Sequence, residues 1–137
     1  MKRLKGFIQM NGSILDTNVI TKLLDKNPEA ISLVQKIERP FTSIVVVGEL
    51  YFAAVNSSRI DTNLEKIKEA LSCLDIILLD DAVCLSYAEI KMELKKKGKP
   101  IPDNDIWIAA CACVHGLSVA TFDHHFSEIP QIELLKT

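Results

Sequence analysis

Short apolar runs alternate with stretches of helical periodicity along this chain, and that alternation constrains the fold more than any other feature. Ser13 to Asp16, Ile76-Ile77-Leu78-Leu79 and Leu117 to Thr121 have the length and apolar character of buried strands. Between them, Ile60, Leu64, Ile67, Leu71 and Leu74 recur every three or four residues with Glu65, Lys66, Lys68 and Glu69 on the opposite side, which is an amphipathic helix. Strands separated by helices predict an α/β fold: a three-layer α/β/α sandwich with a mainly parallel central sheet covered on both faces. No repeat or linker divides the 137 residues, so one domain over residues 1–137 is expected.

Local signals refine this plan. Asn27-Pro28 offers an N-cap followed by proline at the first helical position, for a helix to about Glu38 with Ile31, Val34 and Ile37 inward. Phe41 to Leu50 is divided, because Ile44-Val45-Val46-Val47 favours a strand while the residues from Glu49 to Ala54 favour a helix; a short strand passing into a helix is the expectation. Val83, Tyr87, Ile90 and Leu94 line one side of a further helix that ends on Lys95, Lys96 and Lys97 and stops at Gly98. Pro102-Asp103-Asn104 supplies caps for a helix from about Asp105 to His115, which is apolar almost all round and so belongs in the interior. Ile132 to Leu135 is a candidate edge strand.

The formal net charge of -2 gives no global field that attracts nucleic acid, so any contact with it must come from local basic patches or bridging cations. The four cysteines, Cys73, Cys84, Cys111 and Cys113, have neither paired metal-ligand spacing nor disulfide density, and buried free thiols in a reducing compartment are expected. The N-terminus is basic but lacks an apolar stretch of roughly 7 to 15 residues, and nothing approaches a membrane span of about 20 residues. These features predict a cytoplasmic protein that makes no membrane contact.

The acidic residues divide into two kinds. Glu65, Glu69, Glu89 and Glu93 share helix faces with lysines, as solvated surface does. Asp16, Glu49, Asp105 and Asp123 instead keep apolar company, two after strands, one within an apolar helix and one at the start of the interior helix. Singly, each has a structural reading as a cap, a turn residue or a salt-bridge partner. Together at one crevice, each pair about 4 Å apart would repel by about 4 kcal/mol even at an effective dielectric near 20. Only protons or cations relieve that cost. Hard oxygen donors suit magnesium or manganese, and such ions support phosphodiester hydrolysis without a covalent nucleophile.

Taken in order, Ile14-Leu15-Asp16-Thr17-Asn18, Glu49-Leu50 with Ala53-Ala54, Ile101-Pro102-Asp103-Asn104-Asp105 leading to Ile108-Ala109-Ala110, and Thr121-Phe122-Asp123 with His125-Phe126 resemble a PIN-domain ribonuclease of the VapC toxin type over about residues 10 to 135. The resemblance implies a PIN-like sandwich whose Asp16, Glu49, Asp105 and Asp123 bind Mg2+ or Mn2+ and cut RNA, a tRNA among the expected targets. It also implies a homodimer and inhibition by a VapB-like antitoxin, whose arginine would pair bidentately with the carboxylates. Asp103 reads as an accessory acid or a cap, and Asn18 and Thr121 as hydrogen-bond partners of the carboxylates or as structural links. His124 and His125 are set aside as ligands, because neighbouring side chains in a turn point different ways. Arg59, Lys95, Lys96, Lys97 and Lys99 are candidate contacts to the RNA backbone, or else a solvated helix end. Residues 1–9 extend past the usual family start, and Ala54 stands where relatives often have glycine.

Two other functions compete. A receiver-like signalling domain would use Asp80 as phosphoacceptor, Thr121 as switch and Lys136 as phosphate clamp, but needs an acid pair where Asp16-Thr17-Asn18 stands and leaves Glu49 and Asp105 without a role. A non-catalytic PIN-like binding module gives no reason to keep all four acids.

Overall fold

The computed structural model describes residues 12–135; residues 1–9 and Lys136 lie outside them. The elements follow in the order β1 (Gly12–Leu15), α1 (Thr17–Leu24), α2 (Pro28–Gln35), β2 (Arg39–Ser43), α3 (Ile44–Val55), α4 (Ile60–Leu71), β3 (Asp75–Ile77), α5 (Asp81–Lys97), α6 (Asp103–His115) and β4 (Ser118–Ala120), with a 3-10 turn at His124–Glu128. The four strands form a parallel sheet in the order β3-β2-β1-β4. Helices complete a three-layer α/β/α sandwich.

The chain leaves β1 toward β2 and β3 on one side and places β4 on the other, so the strand order reverses between β1 and β4. At such a switch point the connections diverge and leave a crevice beyond the carboxyl ends of the two strands. Register pairs Leu15 with Ala120, so the residues that follow, from Asp16 and from Thr121, emerge side by side.

Packing decided where local preference was divided. Ile44 to Val47 are helical although three of the four are valines, because the strand ends at Ser43, whose hydroxyl oxygen accepts from the Val45 amide at 3.1 Å. In helical form Val46, Val47, Leu50 and Ala54 all turn into the core, and that burial outweighs the β-branched preference. In α2, Ala30 and Leu33 are the buried pair, with Val34 and Ile37 packed beside them; Ile31, expected inward, is 38% exposed. That helix also ends at Gln35, short of Glu38.

Ile76 to Leu79, expected to be buried, provides only the edge strand β3, in which Ile77 alone is buried, and Leu78 lies in solvent. An edge strand has a neighbour on one side only, which leaves its outer residues uncovered. The segment Ile132 to Leu135 is not a full strand but a single parallel bridge, Val119 with Leu134. Of the cysteines, Cys111 is buried and free as expected, whereas Cys73, Cys84 and Cys113 are free and exposed.

The interior helix α6 packs along α5, where Tyr87 and Trp107 stack with ring centroids 3.8 Å apart. Its cap is not the expected one: Pro102 precedes the first turn and no side chain caps it. Gly98 ends α5 in the left-handed conformation, φ 69°, as the sequence suggested.

At Gly12 the sheet tolerates no side chain. A Cβ there would lie 2.6 Å from the Arg39 carbonyl oxygen and 2.7 Å from the Phe41 ring. Gly12→Ala is therefore expected to cost about 1–3 kcal/mol by forcing β1 and β2 apart. A shift of the urea midpoint to lower concentration would show it; an unchanged midpoint would contradict the close approach.

Candidate active site

The switch point brings Asp16 to the N-terminus of α1, where the residue is 4% exposed and both carboxylate oxygens accept hydrogen bonds. Asp16 Oδ1 accepts from the Thr17 amide at 2.7 Å. Oδ2 accepts from Thr121 Oγ1 at 2.8 Å and from Asn18 Nδ2 at 3.2 Å. Asn18 in turn accepts from the Phe122 amide through Oδ1 at 3.2 Å, and Thr121 Oγ1 accepts from the Asp123 amide at 2.9 Å. Asn18 and Thr121 therefore tie the end of β1 to the end of β4 around one carboxylate. Burial raises the Asp16 pKa above the ordinary aspartate value despite the lowering effect of the Thr121 and Thr17 bonds, with Glu49 and Asp123 adding to the rise.

Asp16, Glu49, Asp105 and Asp123 line one open cavity of about 420 Å³ with Thr17, Asn18, Thr21 and Lys22. Glu49 projects from the second turn of α3, and Thr17 Oγ1 donates to its Oε1 at 2.6 Å, fixing its direction from α1. Asp105 comes from the first turn of α6, and burial, then the charges of Asp16, Asp123 and Glu49, push its pKa up to about 6. Asp123 caps the 3-10 turn by accepting the His125 amide at 2.9 Å. Four segments far apart in the chain thus converge where the strand order reverses.

Three further side chains border this cavity: His125, set aside as a ligand on the sequence, and Thr17 and Lys22, for which the sequence offered no role. His125 turns toward it, with Nδ1 3.1 Å from Asp123 Oδ1 and 3.7 Å from Asp105 Oδ2. Thr17 holds Glu49, and Lys22 supplies the cation on the wall, its Nζ 4.5 Å from the Phe122 ring centroid. The Asp-Thr-Asn run flagged Thr17 only by position; His125 was weighed as a ligand and set aside, because its direction depends on the turn.

Other expected residues lie elsewhere. Asp103 does not line the cavity; it accepts from Tyr87 Oη at 3.0 Å and Lys91 Nζ at 2.9 Å, and those bonds lower its pKa. Arg59, Lys95, Lys96, Lys97 and Lys99 are also absent from its lining. Lys97 donates to the Glu128 carbonyl and Lys99 pairs with the Glu128 carboxylate at 3.2 Å. Asp80, the receiver-type phosphoacceptor, instead caps α5 by accepting the Val83 amide at 3.0 Å, beside the edge strand β3.

The donor set fits a divalent cation. Asp105, Asp123 and His125 each place one donor atom within 4.8 Å of the others, beside a buried carboxylate whose pKa repulsion and burial already raise. Without a cation the cavity is a source of instability, and its pH dependence has a definite sign. The folded Asp105 binds its proton more tightly than the unfolded one, so its penalty is absent below the unfolded value of 3.8, grows as pH rises to about 6 and is constant above. Asp105→Asn removes that penalty. In metal-free buffer at pH 7.5 the variant is expected to exceed the parent by about 1–2 kcal/mol after allowance for solvent screening, and to match it near pH 4. Denaturant unfolding at both pH values measures this; an equal or lower stability at pH 7.5 would contradict it.

Comparison with known proteins agrees with this architecture. The sequence profile of the PIN domain matches residues 13–132. The chain is 32% identical over 126 residues to Ribonuclease VapC2 of Haemophilus influenzae, an alignment that covers 90% of this chain and 94% of that one. Among solved structures it resembles VapBC from Salmonella typhimurium bound to DNA, with a TM-score of 0.82 at 28% identity, covering 91% of this chain and 97% of the other. It also resembles VapBC2 from Rickettsia felis bound to a promoter DNA fragment, with a TM-score of 0.81 at 28% identity and coverage of 89% and 96%. The profile spans most of the chain, the identity extends along nearly its full length, and the backbone superposes as a whole; this chain belongs to the PIN domain family and, within it, to the VapC type.

Proposed function

We propose that this chain is an endoribonuclease that depends on a divalent metal ion, Mg2+ or Mn2+, and acts as the toxin of a pair whose antitoxin is VapB-like. The observation that supports this reading is the convergence of Asp16, Glu49, Asp105 and Asp123 on one cavity at the switch point of the sheet. The ribonuclease names of the relatives and the VapBC assemblies of the structural neighbours favour the same function and partner.

In this reading Asp16, Asp105, Asp123 and Glu49 hold the ion, which when bound lowers the pKa of water and offsets charge on the phosphate oxygens. The remaining side chains position these donors. Thr121 and Asn18 keep Asp16 oriented, and Thr17 keeps one oxygen of Glu49 occupied so that its other oxygen is available to the cavity. Lys22, on the wall, places a positive charge where the backbone of a bound RNA strand would pass. The exposed Phe52 of α3 adds apolar surface at the same side, since it lines a neighbouring cavity with Thr17 and Glu49. That rim suits the antitoxin or a second copy of the chain, and the homodimer belongs to this proposal.

The test is cleavage of a broad RNA pool by the purified protein with Mg2+, Mn2+ or EDTA, followed by mapping of the products. Cuts that need the metal and disappear on adding a cognate antitoxin are expected. A preparation that cleaves no RNA with either ion would overturn the reading.

A further inference from the structure

We infer that His125 supplies a nitrogen ligand through Nδ1 beside Asp105 and Asp123, making the cavity a mixed oxygen and nitrogen site that prefers a first-row transition divalent cation to magnesium. The inference deepens the metal-dependent reading given above and rests on it. Three observations carry it. Nδ1 lies 3.1 Å from Asp123 Oδ1 and 3.7 Å from Asp105 Oδ2, so one imidazole atom faces two carboxylates from different elements. These donors form a group whose atoms all lie within 4.8 Å of one another, the spread expected of ligands that share one ion. The side chain is 54% exposed, so burial does not dictate its direction; the turn does.

That turn is anchored at two adjacent residues. The His125 amide donates to Asp123 Oδ1 at 2.9 Å, and the adjacent Phe126 is wholly buried. The imidazole is thereby set toward the carboxylates before any ion arrives. A cavity of carboxylates alone matches magnesium, which demands oxygen donors and keeps its waters. A neutral imidazole nitrogen is a softer donor and shifts selectivity toward transition ions, which bind mixed sites more tightly. Four acids and one imidazole therefore differ from four acids in which ion they favour, not in whether they bind one.

Mn2+ is the probe, because its binding is read by paramagnetic resonance independently of any cleavage. The full-length protein, His125→Asn and His125→Ala are compared by titration with Mn2+ and with Mg2+, and by pulsed resonance for coupling to a directly bound 14N nucleus. Asn places a neutral oxygen where Nδ1 stands, one bond beyond Cγ, so it keeps the site's shape and charge while replacing the donor. The parent is expected to show 14N coupling and to bind Mn2+ more tightly than Mg2+. Both variants are expected to lose the coupling and about tenfold in Mn2+ affinity, with Mg2+ affinity changed by no more than about threefold. A parent that binds Mn2+ without 14N coupling, or variants that lose both ions equally, would overturn the role of His125 while leaving the carboxylate site intact. A parent that binds neither ion would overturn the metal reading itself and this inference with it.

Discussion

Asp105→Asn is expected to lower RNA cleavage by on the order of 10²–10³-fold, the scale of losing one electrostatic contact at a reacting centre. Asp105 is the carboxylate on which the others converge: burial raises its pKa most, Asp16, Asp123 and Glu49 add to the rise, and His125 opposes them. The amide has the same shape, so packing in the first turn of α6 is preserved while one anionic donor is lost. Because removing that charge also relieves repulsion, the variant gains stability in metal-free buffer as it loses activity, a combination that misfolding cannot produce. Initial rates with a mapped RNA substrate at saturating metal measure the effect. Activity within a few-fold of the parent would remove Asp105 from the catalytic set.

Phe126→Ala is expected to destabilise the protein by about 3–5 kcal/mol, the cost of an aromatic side chain removed from a packed core. Phe126 has no exposed surface and is, among the described residues, the largest of the fully buried side chains. It lies in the 3-10 turn at His124–Glu128, which packs against α6 and carries Asp123 and His125 at its start. The loss should therefore appear twice, in the denaturation midpoint and in a weaker response of that midpoint to added Mn2+. Phe126→Leu, which leaves a smaller void, should fall between the two. A loss under 1 kcal/mol for the alanine variant would mean that the turn is held by something other than this ring.

How much of this was readable beforehand varied with the physical scale of the signal. The α/β layering followed from periodicity, and the four acids stood out because each sat in apolar surroundings where a charge is costly. Ile44 to Val47 misled at the local level, since a run of β-branched residues favours a strand until the end of pairing at Ser43 and the burial of Val46 and Val47 are known. Asp103 and Asp105 look alike in sequence, two acids spaced by one residue. Only the packing of α5 on α6 separates them, giving Asp103 to Lys91 and Tyr87 and Asp105 to the cavity. His125 was seen in the sequence but set aside as a ligand for a different reason: the direction of a side chain in a 3-10 turn depends on the cap at Asp123 and the burial of Phe126, neither of which a pair of histidines announces.

The metal-holding role of the four carboxylates is tested most directly by anomalous diffraction at the manganese edge, on crystals grown or soaked with Mn2+. An anomalous peak inside the cavity, within coordinating distance of carboxylate oxygens of Asp16, Glu49, Asp105 and Asp123, is the predicted result. A fully soaked crystal with no peak in that cavity, or with manganese bound only at other acidic surfaces, would contradict it.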